Sequence, residues 1–410
     1  MSQQGPILIV SSAERPSFAA ALDDAKLFPV IDIALADARR AVAELQPAAM
    51  IVASSETAQR GFATLAQQIS AVQPYLPLIA IDPQILLPEN ALPFAQSGGN
   101  SDRLIARLRA ALRVKALHAT VMRRQDSVPE ELAKPADIDP VRDATVLLIG
   151  RGASYPALSV ALGERMGVLG ALSIEAAAKH LNVRDIDGIV LGEGFTARVL
   201  DAFLTVLAED SRFRHLPVVL TSNELTPAYD LPNLEIITGD PESVAANALP
   251  LIRQHALEAH LSRTLRSIDA GGLLDPRTGL LTPTAFSRDF ATTVYQTLSR
   301  GGGLSVARFA FDAAHPRAQL DGSRIISRLM RQMDFGTAHE DGSVLVVFAE
   351  TDLRNAHAIA RRLSSVMRHT NHGKRDTRAE PAVTLATMLP QDSARSLLAR
   401  LYDESHRAAS

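Results

Sequence analysis

Short apolar runs recur along the first two thirds of the chain, each followed by alanine-rich text of helical period. In a first block the runs fall at 7–10, 48–53 and 76–81, and the block closes on a long helical stretch at 102–124. A second block repeats the plan, with runs at 145–149, 188–191, 218–221 and 234–238 and a long helix over 242–268. Short runs without polar alternation are strands covered on both faces. Alternating with helices, they predict parallel sheets flanked by helices on either side. Repetition of a unit of roughly 120 residues predicts a duplicated domain rather than one large sheet.

Between the blocks, residues 126–143 read DSVPEELAKPADIDPVRD, rich in proline and acid and without apolar period, which predicts an extended linker. No such linker separates the second block from the C-terminal third of the chain. The helix of the second block stops at Ala270-Gly271-Gly272 and a new domain begins at once. A helix entered this way can transmit a shift or act as a rigid spacer. The expected division is 1–122, a linker at 123–143, 144–268, and 269–410.

Composition narrows the function classes. At 410 residues, 47% hydrophobic and 21% charged, the chain reads as a globular protein of several domains. A net charge of -3 supplies no basic field for nucleic acid or anionic lipid. The absence of cysteine removes disulfides, thiolate metal sites and cysteine nucleophiles. None of the eleven histidines stands in a His-x-x-x-His pair, so no metal site is expected. The start MSQQGPILIVSS has no basic region, long apolar region or cleavage signal, and no run reaches the roughly 20 residues of a membrane span. A cytoplasmic protein with no membrane span and no nucleic-acid partner is expected.

The two blocks resemble receiver domains of response regulators in strand rhythm and in the phrases LPLIAI and LPVVLTS. That resemblance implies a flavodoxin-like, doubly wound sheet in each. A receiver needs an acidic pair after its first strand for magnesium and an aspartate after the third for phosphate. It also needs a hydroxyl after the fourth strand and a lysine after the fifth. In the first block these positions fall on Ser11 and Ser12, on Ala53 or Ser54, on Asp82 and on Ser97. In the second they fall on Gly150 and Arg151, on Gly192 beside Glu193, on Thr221, which is retained, and on Gly239. Serine, glycine and alanine do not replace carboxylates around magnesium. Adaptor and dimerisation modules are therefore expected, without phosphorelay input.

The C-terminal block resembles the GGDEF, or diguanylate cyclase, family. Asp275, Thr278, Gly279, Leu280 and Phe286 stand at the spacing of its opening signature. Strands at 304–311, 343–348 and 382–386 and the pair Leu401-Tyr402 also fit. The resemblance implies an α/β domain around a central mixed sheet. It also implies lost catalysis. A cyclase joins two GTP molecules with metal ions held by carboxylates. The first metal aspartate aligns with Ala310, leaving only Asp312, and the GGDEF turn aligns with Glu340-Asp341-Gly342-Ser343-Val344. The segment between the two active-site strands, which carries the guanine-recognising residues, is about ten residues short for the family. The triphosphate lysine aligns with Ser405. No catalytic residue, metal or cofactor is expected.

One family feature survives. The product-binding Arg-x-x-Asp site aligns with Arg331-Gln332-Met333-Asp334, six residues before the turn, and its supporting arginine aligns with Arg362, beside Arg361. Arginine can fork onto guanine O6 and N7 or onto phosphate, and a carboxylate accepts from guanine N–H groups. The same four-residue pattern also occurs at 123–126, 266–269 and 400–403, so Arg331 and Asp334 could equally be an i,i+3 surface pair.

The whole order resembles bacterial response regulators of the PleD and PopA type. It implies a non-catalytic receptor that binds cyclic di-GMP, as a stacked ligand pair, at Arg331, Asp334 and Arg362. Such a receptor signals through a protein partner and pairs as a homodimer. The alternative is a ligand-independent pseudo-enzyme scaffold that dimerises or localises partners. The polar stretch 369–378, with His372, Lys374 and Arg375, is expected to be a solvated hairpin loop, and Gly301-Gly302-Gly303 a turn.

Overall fold

The computed structural model describes residues 5–12, 15–26, 29–96, 101–126, 139–222, 229–312, 316–367 and 381–408. The chain divides into two compact units, one of Met1–Ser127, Ile138–Ala177 and Ile186–Leu261, the other of Val128–Asp137, Ala178–Asp185 and Ser262–Ser410.

The first unit holds both repeats except residues 178–185 and 262–269, which fall in the other. The first repeat runs β1 (Ile7–Val10), α1 (Ser17–Asp24), β2 (Val30–Ile33), α2 (Leu35–Leu45), β3 (Ala49–Val52), α3 (Ser54–Thr57), α4 (Arg60–Ser70), β4 (Leu78–Ile81), β5 (Ala91–Phe94) and α5 (Ser101–Gln125). The second runs β6 (Thr145–Ile149), α6 (Tyr155–Gly163), β7 (Gly167–Ala171), α7 (Ile174–Val183), β8 (Gly188–Leu191), α8 (Ala197–Glu209), β9 (Val218–Leu220), β10 (Leu234–Ile236) and α9 (Pro241–Asp269). Both sheets are parallel, ordered β2-β1-β3-β4-β5 and β10-β9-β8-β6-β7. In each repeat's own numbering that is 2-1-3-4-5, the flavodoxin-like order. The connection from β4 to β5 carries no helix, a departure from the full doubly wound plan.

One face of each sheet packs into a core common to the two repeats, whereas the other face of the first sheet has its own core with α2 and α4. A single cluster joins Ile9, Ile51 and Ile79 of the first sheet to Val146, Val190 and Val219 of the second, through α5 and α9. At its polar heart lies Arg107 of α5, 0% exposed, whose Nη2 meets Glu235 of β10, 1% exposed, at 2.8 Å. The same guanidinium donates to Pro232 O at 2.6 Å and to Pro93 O at 2.9 Å. Arg103 donates to Leu234 O at 2.9 Å, and Ala95 N to Glu235 at 3.1 Å. β5 and β10 are edge strands, and two arginines supply donors to carbonyls that no further strand reaches. Burial pushes Arg107 down and Glu235 up from their ordinary values, and their mutual attraction opposes both shifts.

The second unit contains α10 (Pro283–Arg300), β11 (Leu304–Ala310), α11 (Pro316–Leu329), β12 (Phe335–Ala338), β13 (Ser343–Ala349), α12 (Leu353–Met367), β14 (Ala382–Thr387) and α13 (Ala394–Ala408). Its sheet, ordered β12-β13-β11-β14, is antiparallel throughout, which corrects the mixed sheet expected from the sequence. The physical reason is the hairpin between β12 and β13, which inserts β13 beside β11 and leaves no two neighbours parallel. From β11 to β14 this is a β-α-β-β-α-β split unit of ferredoxin-like type. Alternation along the strands makes two cores. Phe309, Val346 and Phe348 pack with α11 and α12, whereas Val306, Leu345 and Val347 pack with α10 and α13.

Candidate functional site

The connection from α11 to β12 is a tight turn closed by Asp334 N donating to Arg331 O at 3.0 Å. It turns Asp334 inward, 7% exposed, where Oδ1 accepts from the Ala349 amide at the end of β13, at 3.3 Å. Burial pushes the Asp334 carboxyl above its ordinary value. Backbone hydrogen bonding from Arg331 and Ala349, then the charges of Arg331 and Arg362, pull it part of the way back. The charges of Arg331 and Arg362 thus reach the Asp334 carboxyl, with no salt bridge between either guanidinium and it among the described residues. Arg331 and Arg362, the latter on α12, are both exposed. Neither guanidinium makes a hydrogen bond or salt bridge among the described residues. Arg361 lies elsewhere, lining a small cleft with His357 and Ser364.

The opposite end of β12 enters the turn aligned with the GGDEF motif. Gly342 takes φ +82°, a left-handed conformation that favours glycine, and lets His339 N reach Ser343 O at 2.8 Å. Asp341 points back into its own turn, where Oδ1 accepts from Ser343 N at 2.9 Å and Oγ at 2.5 Å. Its Oδ2 takes Arg308 Nη2 at 3.1 Å. Burial alone would push Asp341 up, but the Ser343 and Arg308 hydrogen bonds outweigh it and hold the carboxyl below its ordinary value. Ala310 faces Ser343 directly across β11 and β13. Asp312 is exposed just beyond β11. Among the described residues no three Asp, Glu or His side chains gather into a metal-holding group.

The opening signature is a folding device in this chain. Thr278 Oγ donates to Asp275 Oδ2 at 2.7 Å, Arg277 N to Oδ1 at 2.9 Å, and Gly279 N to Asp275 O at 2.8 Å. Gly279 sits at φ +78° with Ser327 close against it, so a Cβ there would be strained and crowded. Phe286 stacks on Phe290 with centroids 5.7 Å apart and meets Phe335 of β12.

At the strand ends of the first sheet, a carboxylate missed in the sequence fills the region of the receiver positions. Glu56, 1% exposed, accepts from Ser12 N at 3.0 Å, Ser12 Oγ at 2.9 Å and Gln59 Nε2 at 2.7 Å. Asp82 has φ +42° and takes Gln96 N at 2.8 Å. In the second sheet Thr221 donates to Leu191 O at 3.2 Å, and Arg151 lies over the Phe195 ring at 4.9 Å. Arg107, Glu235 and Arg308 were likewise not singled out in the sequence. The only signal for Glu235 is an acid inside the apolar run Leu234–Ile236. The expected loop at 369–378, Ser97 and most of the 126–143 linker lie outside the described residues. Ser405 lies in α13.

Fold and site together define an α/β protein with two flavodoxin-like sheets in one unit. Its other unit is ferredoxin-like and carries an open arginine–carboxylate face. No family model matches the chain, and no curated protein matches it. Among solved structures it is similar to the GGDEF domain of DgcB from Caulobacter crescentus in complex with c-di-GMP. That match has 15% identity, covers 33% of this chain and 91% of that one, and has a TM-score of 0.29. It is also similar to the FimX GGDEF domain from Pseudomonas aeruginosa, at 14% identity, 32% and 90% coverage and a TM-score of 0.29. A third is the diguanylate cyclase SiaD in complex with its activator SiaC from Pseudomonas aeruginosa, at 14% identity, 36% and 64% coverage and a TM-score of 0.30. No helix among the described residues is long and apolar enough to cross a membrane.

Proposed function

We propose that the protein is a non-catalytic receptor for cyclic di-GMP, binding it at Arg331, Asp334 and Arg362 and signalling through protein–protein contacts. The observation that carries this reading is a buried carboxylate flanked by two exposed guanidinium groups that have no hydrogen bond or ion pair of their own among the described residues. A ligand that completes such a face presents acceptors to one arginine, N–H donors to the carboxylate and an anionic oxygen to the other arginine. Guanine joined to phosphate has all three. The register of Arg331 and Asp334 with the family's product-binding site points to the same ligand.

The GGDEF-like turn supports the absence of cyclase activity. Its residues do not fit a magnesium pair. Alanine and serine occupy the facing strand positions, and the Asp341 carboxylate is held by Ser343 and Arg308. A second reading, a ligand-independent scaffold, is favoured by the Arg107–Glu235 contact, which fixes the two receiver-like repeats as one body without any ligand.

Fluorescently labelled cyclic di-GMP titrated with the full chain distinguishes the two. Saturable binding at micromolar protein is expected of a receptor, and no binding at tens of micromolar leaves the scaffold. Incubation with GTP and magnesium should form no cyclic di-GMP above the blank.

A further inference from the structure

The first repeat contains a second candidate ligand site, built from other residues than the guanidinium face and independent of the cyclic di-GMP reading. A cleft of about 770 Å³ opens at the amino-terminal ends of β1, β3 and β4, among α2, the α4–β4 connection and the C-terminal half of α5. The receiver positions Ser12, Ala53 and Asp82 follow the carboxyl ends of the same strands, so the cleft is no remnant of theirs. Its volume lies within the range of small-molecule sites.

The lining divides by chemistry. Val42, Val72, Leu76 and Leu112 supply apolar wall, and Lys115 and Arg123 supply positive charge. No aspartate or glutamate lines the cleft among the described residues. Lys115 is the residue that points to a ligand. It is half-buried, and its ammonium donates to Ala48 O at 3.2 Å and to Pro47 O. Both partners are neutral backbone carbonyls, and an ammonium has a third proton to donate. Burial pushes Lys115 below its ordinary value, and no neighbouring carboxylate raises it. A partly desolvated charge without a counter-charge is unfavourable, and an anion in the cleft would relieve it. Arg123, exposed on α5, donates to Thr120 Oγ1 at 3.2 Å and adds to the positive field.

We propose that this cleft binds a small amphipathic anion, an apolar chain or ring that ends in one carboxylate. The Lys115 ammonium takes the carboxylate, and the apolar body lies on Val72, Leu76 and Leu112. A neutral molecule of the same shape gains only the apolar contact. A cation meets Lys115 and Arg123 as like charges and is rejected.

The test is calorimetry on the full chain with octanoate as the probe, octanol as its neutral match and octylammonium as its cationic one. Expected are saturable binding of octanoate in the sub-millimolar range, octanol at least tenfold weaker, and no binding of octylammonium. Lys115→Met, which keeps the stem and removes the charge, should weaken octanoate at least tenfold and leave octanol unchanged. Ala116→Trp, at an exposed lining position of α5, should abolish binding of both. Should Lys115→Met fail to fold, Ala116→Trp and the comparison of the three wild-type probes decide the matter. Arg331→Ala should bind octanoate like the wild type, which separates this site from the cyclic di-GMP reading. The proposal is overturned if octanoate does not saturate at millimolar concentration, if octanol or octylammonium binds as tightly, or if the folded cleft variants bind octanoate like the wild type.

Discussion

Two buried carboxylates each lie in the field of two arginines and accept a backbone amide, in opposite surroundings. Glu235 faces Arg107 and Arg103 and accepts from Ala95 N. Asp334 faces Arg331 and Arg362 and accepts from Ala349 N. Around Glu235 the guanidinium groups are enclosed, and they donate to Pro93, Pro232 and Leu234 carbonyls, so little hydrogen-bonding capacity is left. Around Asp334 both guanidinium groups are exposed and, among the described residues, unpaired. The carboxylate is alike in the two places. Whether its arginines are closed or open separates a structural contact from a face left open to a ligand.

The largest effect should come from breaking the closed copy. Glu235→Ala leaves Arg107 buried without its counter-charge and should cost about 3–5 kcal/mol, read as a lower urea midpoint. A loss below about 1 kcal/mol would mean the contact is not closed. The same truncation at the open copy should act on binding. Arg331→Ala should weaken cyclic di-GMP by roughly ten- to a hundredfold, the scale of one bidentate guanine contact, with no change in melting temperature.

Acid should then distinguish the copies further. The Asp334 carboxyl titrates above its ordinary value and must be ionised to accept from guanine. Affinity should therefore fall as pH drops through that raised value, and Asp334→Asn should remove this pH dependence while weakening binding at neutral pH. Stability has the reverse sign. A carboxyl raised in the folded state stabilises the fold when protonated, and that contribution is lost as pH rises through its folded value. Asp334→Asn should accordingly melt slightly higher than wild type at pH 7, with the difference vanishing in acid. The smallest effect is expected at the GGDEF-like turn, where Arg308→Ala removes a partly exposed pair with Asp341. It should cost under about 1 kcal/mol in thermal melts and leave binding unchanged.

The inner strands were legible because each is a continuous apolar run, as in Ile7–Val10 and Thr145–Ile149. The strands that escaped notice, β2, β5, β7 and β12, are edge strands. There Asp32, Pro93 and Gly170 interrupt the apolar signal, because one side meets no further strand. The shared core was illegible for a different reason. Arg107 looks like one more polar position among Arg103, Arg109 and Arg113 of a charged helix, and only the approach of β10 turns it into core. At the candidate site, motif register gave Arg331, Asp334 and Arg362. The burial of Asp334, the exposure of both arginines and the lack of described partners for their guanidinium groups are tertiary features that no local pattern encodes.

Isothermal calorimetry of cyclic di-GMP into wild type and Arg331→Ala, at matched salt and pH, shows whether the open arginine–carboxylate face receives the ligand. Saturable micromolar binding to the wild type and at least a tenfold loss in the variant, at equal thermal stability, are expected. No heat with the wild type at tens of micromolar, or equal affinity in both proteins, would contradict that role of the face.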